Sequence, residues 1–215
     1  MQLSAEVRWF GLGPVPDDLK GWFQEPASAF RYPAGGGRSR TDVYLHFKEP
    51  ELSIKRRGGK KGFEVKGLVD DVPWNLQFGE VTVVPQLLCK WSSTELEVAQ
   101  LPVVEIVKVR WLRKFDTTAD PREIQLGTGD SGEDPLRSDE RPDIGCNLEL
   151  TTVTTGGSTW WTFGAESFAF GRRGQTTALA SEGLQRTMQA LSGQAIVDLR
   201  NARYQGYGEW IAALS

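Results

Sequence analysis

The chain has 215 residues, 39% hydrophobic and 25% charged, which excludes wholesale disorder and leaves room for a sizeable core in one domain spanning 1–215. Its 25 Lys and Arg against 28 Asp and Glu give a net charge of −3. That balance argues against general nucleic-acid binding, and it requires any basic cluster to be offset by acidic segments elsewhere.

The first stretch, LSAEVRWF, alternates apolar and polar residues as a half-buried strand does. PVPDDLKGWF places Pro and two Asp before Leu19, Trp22 and Phe23, the pattern of a short helix with an acidic first turn. YPAGGGRSR reads as a loop. DVYLHF, LSIKRR, GFEVKGLV, GEVTVVPQLLCKW, ELEVA and VVEIVKVRWLRKF read as strands, with GGKKG a Gly-bounded hairpin turn between two of them. Residues 116–143 are rich in Gly, Asp and Pro and predict a long solvated loop. Its DSGED core lacks the ligand spacing and closing Glu of a calcium loop. CNLELTTV and STWWTFGAESFAFG, joined by TTGG, predict another hairpin. From about 176 the period becomes helical, with Leu184, Met188 and Leu191, then Trp210, Ile211 and Leu214. The class is therefore α+β, mainly β: a barrel section over 1–170 and a helical segment over 176–215.

Cys89 and Cys146 lie far apart in apolar, strand-like contexts, so both are expected in the core rather than in a disulfide or metal site. The opening MQLSAEVRWF has no basic region followed by an apolar run, and no stretch reaches the length of a membrane span. A cytoplasmic protein is the expectation.

Residues two apart on a strand share a face. Glu6 and Arg8 therefore oppose Val7 and Trp9, and Lys55 and Arg57 oppose Leu52 and Ile54. Glu64 and Lys66 oppose Phe63 and Val65, Lys108 and Arg110 oppose Val107, Val109 and Trp111, and Asn147 and Glu149 oppose Cys146, Leu148 and Leu150. A solvated outer face is the plain reading of any one such strand. Taken together, the paired charges and the number of strands suggest a sheet closed with its charged faces inward. Such a lumen is costly unless its groups pair or bind something. Its cations suit phosphate oxygens, and carboxylates among them suit Mg²⁺ or Mn²⁺.

The order of these motifs resembles the CYTH superfamily, the triphosphate tunnel metalloenzymes. SAEVR at 4–8 resembles the family's opening ExExK strand, with Ser4 in place of the first Glu. RTDVYLHF, LSIKRR, FEVKG, VKVRW, CNLELTTV and FGAESFAF resemble its later strands in order. The resemblance implies a closed antiparallel eight-stranded β-tunnel with flanking helices and Mg²⁺- or Mn²⁺-dependent hydrolysis of inorganic triphosphate, thiamine triphosphate or a similar substrate. It implies phosphate binding by Arg8, Lys55, Arg57, Lys66, Lys108 and Arg110, and metal binding by Glu6, Glu149 and Glu166. Glu64 or Glu149 would serve the attacking water. Ser4 and Phe168 stand where partner carboxylates belong in the family, so a non-catalytic polyphosphate binder is the alternative. On this reading Lys60 and Lys61 cap the hairpin in solvent.

A further alternative is an RNA-binding barrel using the KRRGGKKG tip with Trp91, Trp111 and Trp160. His46, the one histidine, is expected to be a structural or lumen-facing hydrogen-bonding group. Arg172 and Arg173 are candidates for a tunnel mouth. A homodimer would be one way to cover exposed aromatic surface.

Overall fold

The computed structural model describes residues 2–26, 30–96, 101–126, 142–170, 173–192 and 199–214. Eight long strands close into an antiparallel barrel: β1 (Gln2–Leu12), β2 (Gly35–Leu45), β3 (Leu52–Arg57), β4 (Phe63–Asp71), β7 (Gln86–Ser93), β8 (Val103–Asp116), β10 (Ile144–Thr155) and β11 (Ser158–Ala169). The neighbour order is β1-β7-β4-β3-β2-β8-β10-β11, and the ring closes through β11 onto β1. Three short pairs decorate it: the hairpin β5 (Leu76–Phe78) with β6 (Val81–Val83), β9 (Arg122–Ile124) on β8, and β12 (Arg203–Tyr204) on β1. The helices are α1 (Asp17–Gln24), α2 (Arg173–Ser192) and α3 (Tyr207–Ala212). The α+β, mainly β class and the closed eight-stranded barrel expected from the sequence are observed.

Local chemistry accounts for the elements. Gly156 and Gly157 have φ of 55° and 78° between the paired Thr155 and Ser158. Two consecutive positive φ values define the two-residue hairpin turn whose twist matches the flanking strands. In α1, Asp17 and Asp18 lie at the positive end of the helix dipole, and Leu19, Trp22 and Phe23 are buried. In α2, Ala180, Leu184, Met188 and Leu191 recur every three or four positions, and all are buried.

The main hydrophobic core lies outside the barrel. The outward residues Ala5, Val7 and Trp9 of β1, Leu148 and Leu150 of β10, and Phe163 and Ala165 of β11 pack against α1, α2 and the β5–β6 hairpin. Trp9 and Phe78 each stack on Phe163, with centroids 6.0 and 5.8 Å apart. Cys146 belongs to this layer, both cysteines are buried and free, and burial pushes the Cys146 thiol up to about 12. The layer is clamped by Arg113, which is 1% exposed on the outer face of β8. It donates to the carbonyls of Phe23 (2.7 Å), Glu25 (3.1 Å) and Tyr32, pairs with Glu123 at 2.6 Å, and lies 3.8 Å from the centroid of Phe30.

Several element boundaries differ from the sequence expectation. The stretch read as a loop before DVYLHF is strand from Gly35, because β2 follows β8 along its length, with a register irregularity between Gly36 and Arg38. GEVTVVPQLLCKW divides into β6 and β7 around Pro85, whose ring removes a backbone donor. The interval 116–143 includes β9, anchored by pairing to β8, with 127–141 outside the described residues. In ELEVA, Glu95 and Leu96 are not strand and 97–99 lie outside the described residues. Helix α2 starts at Arg173 rather than 176. Arg172 and the side chain of Arg173 fall outside the description. Among the described residues no helix is long and apolar enough to cross a membrane.

Replacing Arg113 with Met should cost about 3 kcal/mol of stability, because Glu123 and three carbonyls lose a buried donor at once. A lowered urea midpoint with an unchanged slope would establish it.

Candidate functional site: a charged lumen closed at one end

The alternation that sends Val7 and Trp9 outward sends Glu6 and Arg8 inward. Arg8 is the hub of the lumen. Its Nε donates to Glu6 at 2.7 Å, its Nη2 to Glu149 at 3.0 Å and its Nη1 to the Thr162 hydroxyl at 2.9 Å. Burial alone would lower its pKa, but the Glu6 and Glu149 carboxylates outweigh that and raise it further. Gly164 makes this possible, since a Cβ there would stand 2.9 Å from Arg8 Cζ and 3.0 Å from the Val7 carbonyl oxygen.

All the residues expected to hold phosphate, metal or the attacking water line one cavity inside the barrel. Arg8, Lys55, Arg57, Lys66, Lys108 and Arg110 face it together with Glu6, Glu64, Glu149 and Glu166. Arg110 pairs with Glu149 at 2.8 Å, while Lys55 and Arg57 reach Glu64 at 3.4 and 3.5 Å. Lys66 Nζ donates to Glu166 at 2.9 Å and also to Glu6. Lys60 and Lys61 at the β3–β4 tip are exposed.

Sequence reasoning passed over Arg40, Asp42, Tyr44, Lys90 and Tyr207. Asp42, fully buried, has three cations around it: Arg40 at 3.2 Å, Lys108 at 3.5 Å and Lys55 at 3.7 Å. Burial would raise its carboxyl, yet Lys108 and Lys55 hold it below the usual range. Arg40, Asp42 and Tyr44 continue the period-2 signal used elsewhere, so alternation could have found them. Lys90 is the one charged residue of β7, with Leu88 and Ser92 beside it on its face, so no pair of charges two apart marks it. Tyr207 comes from the far end of the chain and has no local signal.

Moving along the same inward positions, charge gives way to apolar side chains. Phe10 follows Arg8, Ile106 precedes Lys108, and Val153 follows Thr151. These residues cluster with Tyr44, Trp160 and the α3 residues Trp210 and Ile211. Phe10 and Trp210 stack at 5.0 Å. The C-terminal helix thus stoppers one end of the barrel and sets Tyr207 over the charges, its ring 3.7 Å from Lys108 Nζ and 5.0 Å from Arg8 Cζ. Gly208 permits the approach, because a Cβ there would lie 2.4 Å from the Pro50 carbonyl oxygen.

Among the described residues, eight basic side chains face the cavity, four carboxylates line it, and Asp42 is a fifth paired with its cations. Burial is the largest influence on two of the lysines. Burial, followed by repulsion from other lumen cations, depresses Lys108 despite Asp42. Burial likewise brings Lys55 down to about 8, against the pull of Asp42 and Glu64. Glu166 moves the other way, to about 2, because Lys66 and Lys90 outweigh its burial.

The carboxylates implied as metal ligands are all engaged by cations: Glu6 by Arg8 and Lys66, Glu149 by Arg8 and Arg110, Glu166 by Lys66. Among the described residues no three His, Cys, Asp or Glu converge as a cage. This donor set does not fit a protein-held divalent ion. Ser4 and Phe168 are direct cross-strand partners, so the two departures from the family pattern form one neutral patch. His46 lies beyond β2, beside a separate pocket with Val103, Glu105 and Trp160 rather than in the charged lumen. The three tryptophans of the RNA-binding alternative do not share a surface: Trp160 packs on Trp210, Trp111 on the outer core, and Trp91 is exposed.

Gly164→Val should expel the Arg8 guanidinium from its place between Glu6 and Glu149. The expected result is a loss of roughly 3 kcal/mol in denaturant unfolding, larger than that of Gly67→Val, where a Cβ meets only Leu52 at 3.6 Å and the Glu51 carbonyl at 3.9 Å.

The chain matches no protein-family model and no curated protein. The closed barrel with its flanking helices is consistent with a CYTH-like tunnel, a likeness of fold that assigns no family.

Proposed function

We propose that the lumen binds the triphosphate or polyphosphate chain of a small molecule. The observation that carries this reading is the excess of basic over acidic side chains facing one cavity, where burial depresses Lys55 and Lys108. Interior cations that repel one another are stabilised by whatever brings negative charge between them. Phosphate oxygens suit the mixture of Arg forks and Lys ammonium groups. The stopper formed by α3 favours a short or terminal phosphate chain over a long polymer threaded through the barrel.

The resemblance would add hydrolysis with Mg²⁺ or Mn²⁺, water being oriented by Glu64 or Glu149. Here Glu64 is held by Lys55 and Arg57, and Glu149 by Arg8 and Arg110. The arrangement therefore favours binding over turnover.

Titration calorimetry with tripolyphosphate tests the reading. Arg57→Gln and Lys90→Gln should each weaken binding about tenfold, the loss of one charged hydrogen bond. Lys61→Gln at the exposed tip should leave it unchanged. Absence of binding by the wild-type protein would remove the proposal. Turnover of tripolyphosphate or thiamine triphosphate with Mg²⁺ or Mn²⁺, abolished by Glu149→Gln, would replace binding with hydrolysis.

The pH dependence has a definite sign. Lys55 is protonated below about 8 in the folded protein, and an incoming anion favours the protonated form. Binding near pH 8 should take up protons, and affinity should fall as the pH rises from 7 to 9.5. Calorimetry in buffers of different ionisation enthalpy reads the proton count directly.

A further inference from the structure

Glu6 and Glu166 are direct cross-strand partners on β1 and β11. Like charges in that position repel, and a closed barrel cannot separate them. One group resolves the conflict: Lys66 reaches across from β4 and donates to a carboxylate oxygen of each. Arg8 completes the shell on Glu6 at 2.7 Å. An oxygen-ligated divalent ion bridging two carboxylates would have to occupy this same position.

We propose that the Lys66 ammonium is the resident cation of the Glu6–Glu166 pair, taking the place of a divalent metal, so that the lumen accepts its phosphate ligand without one. Two carboxylates facing Lys66 and Arg8 are already balanced. A dication added there would displace the ammonium into a lumen crowded with positive charge, next to Lys90, which faces Lys66 across β4 and β7. The third candidate ligand, Glu149, is held by two arginines and cannot join without releasing them. The metal-free consequence rests on the anion-binding reading, whereas the occupancy of the carboxylate pair does not.

The test is Mn²⁺ binding to the full chain, followed by electron paramagnetic resonance with no phosphate present. Lys66→Met should bind Mn²⁺ at least tenfold more tightly than wild type, and Lys66→Arg should behave as wild type. Wild-type protein binding Mn²⁺ as tightly as Lys66→Met would overturn the proposal, as would a folded Lys66→Met that gains nothing. Should Lys66→Met fail to fold, tripolyphosphate calorimetry on the wild type decides. Equal binding in EDTA and in Mn²⁺, within about threefold, supports a resident lysine. Binding only with Mn²⁺ overturns it and leaves the anion reading standing. Binding in neither removes the anion reading, and wild-type Mn²⁺ affinity then decides the cation assignment, with tight binding overturning it.

Discussion

The side of the lumen built from Glu6, Glu149 and Glu166 depends on the placement of Arg8. A guanidinium taken out of water into a barrel costs several kcal/mol unless its donors find charged acceptors. Here they find Glu6, Glu149 and Thr162 from three strands. That triple contact fixes β1 against β10 and β11 and compels Gly164 to carry no side chain. It also leaves Glu6 with one oxygen for Lys66 and Glu149 with one for Arg110. This network spreads from one buried charge, while Asp42 gathers Arg40, Lys55 and Lys108 into a second.

The barrel inverts the usual order of a small protein. Its apolar residues face outward and need cover, which α1, α2 and the β5–β6 hairpin supply on the β10–β11–β1 side. Arg113 is the counterpart of Arg8 on that outer layer, a buried cation satisfied largely by carbonyls and spent on holding α1 rather than on a ligand. Two buried arginines on opposite faces of one wall thus have different roles, decided by whether their partners are backbone oxygens or carboxylates with further cations behind them.

Within the lumen, one strand period carries two chemistries. Glu6 and Arg8 give way to Phe10, and Lys108 and Arg110 give way to Ile106. Charge collects in the middle and apolar bulk at one end, where α3 completes the seal. The outcome is a cationic pocket stoppered at one end, with basic side chains on several walls and the Tyr207 ring at its floor.

Much of this was legible in the sequence because strands advertise their faces. By alternation Glu6, Arg8, Lys55, Arg57, Lys66, Lys108 and Arg110 fall on the charged faces of their strands, and only the pairing of charges together with the number of strands suggests that those faces turn inward. Asp42 and Tyr44 obey the same rule within DVYLHF, whereas Arg40 ends a Gly-rich stretch that looks like a loop, so its signal is masked by composition. The stopper was half visible: Trp210, Ile211 and Leu214 announce a helix without saying where it docks. What alternation cannot provide is register. That Glu6 stands opposite Glu166, that Ser4 stands opposite Phe168, and that Lys66 bridges the first pair depend on how strands distant in the chain align. Local sequence therefore determined which face of each strand is charged, since side-chain direction is a property of the strand itself. Only the closed barrel decided which charges meet, because Coulomb energy depends on distances that the ring of hydrogen bonds alone sets.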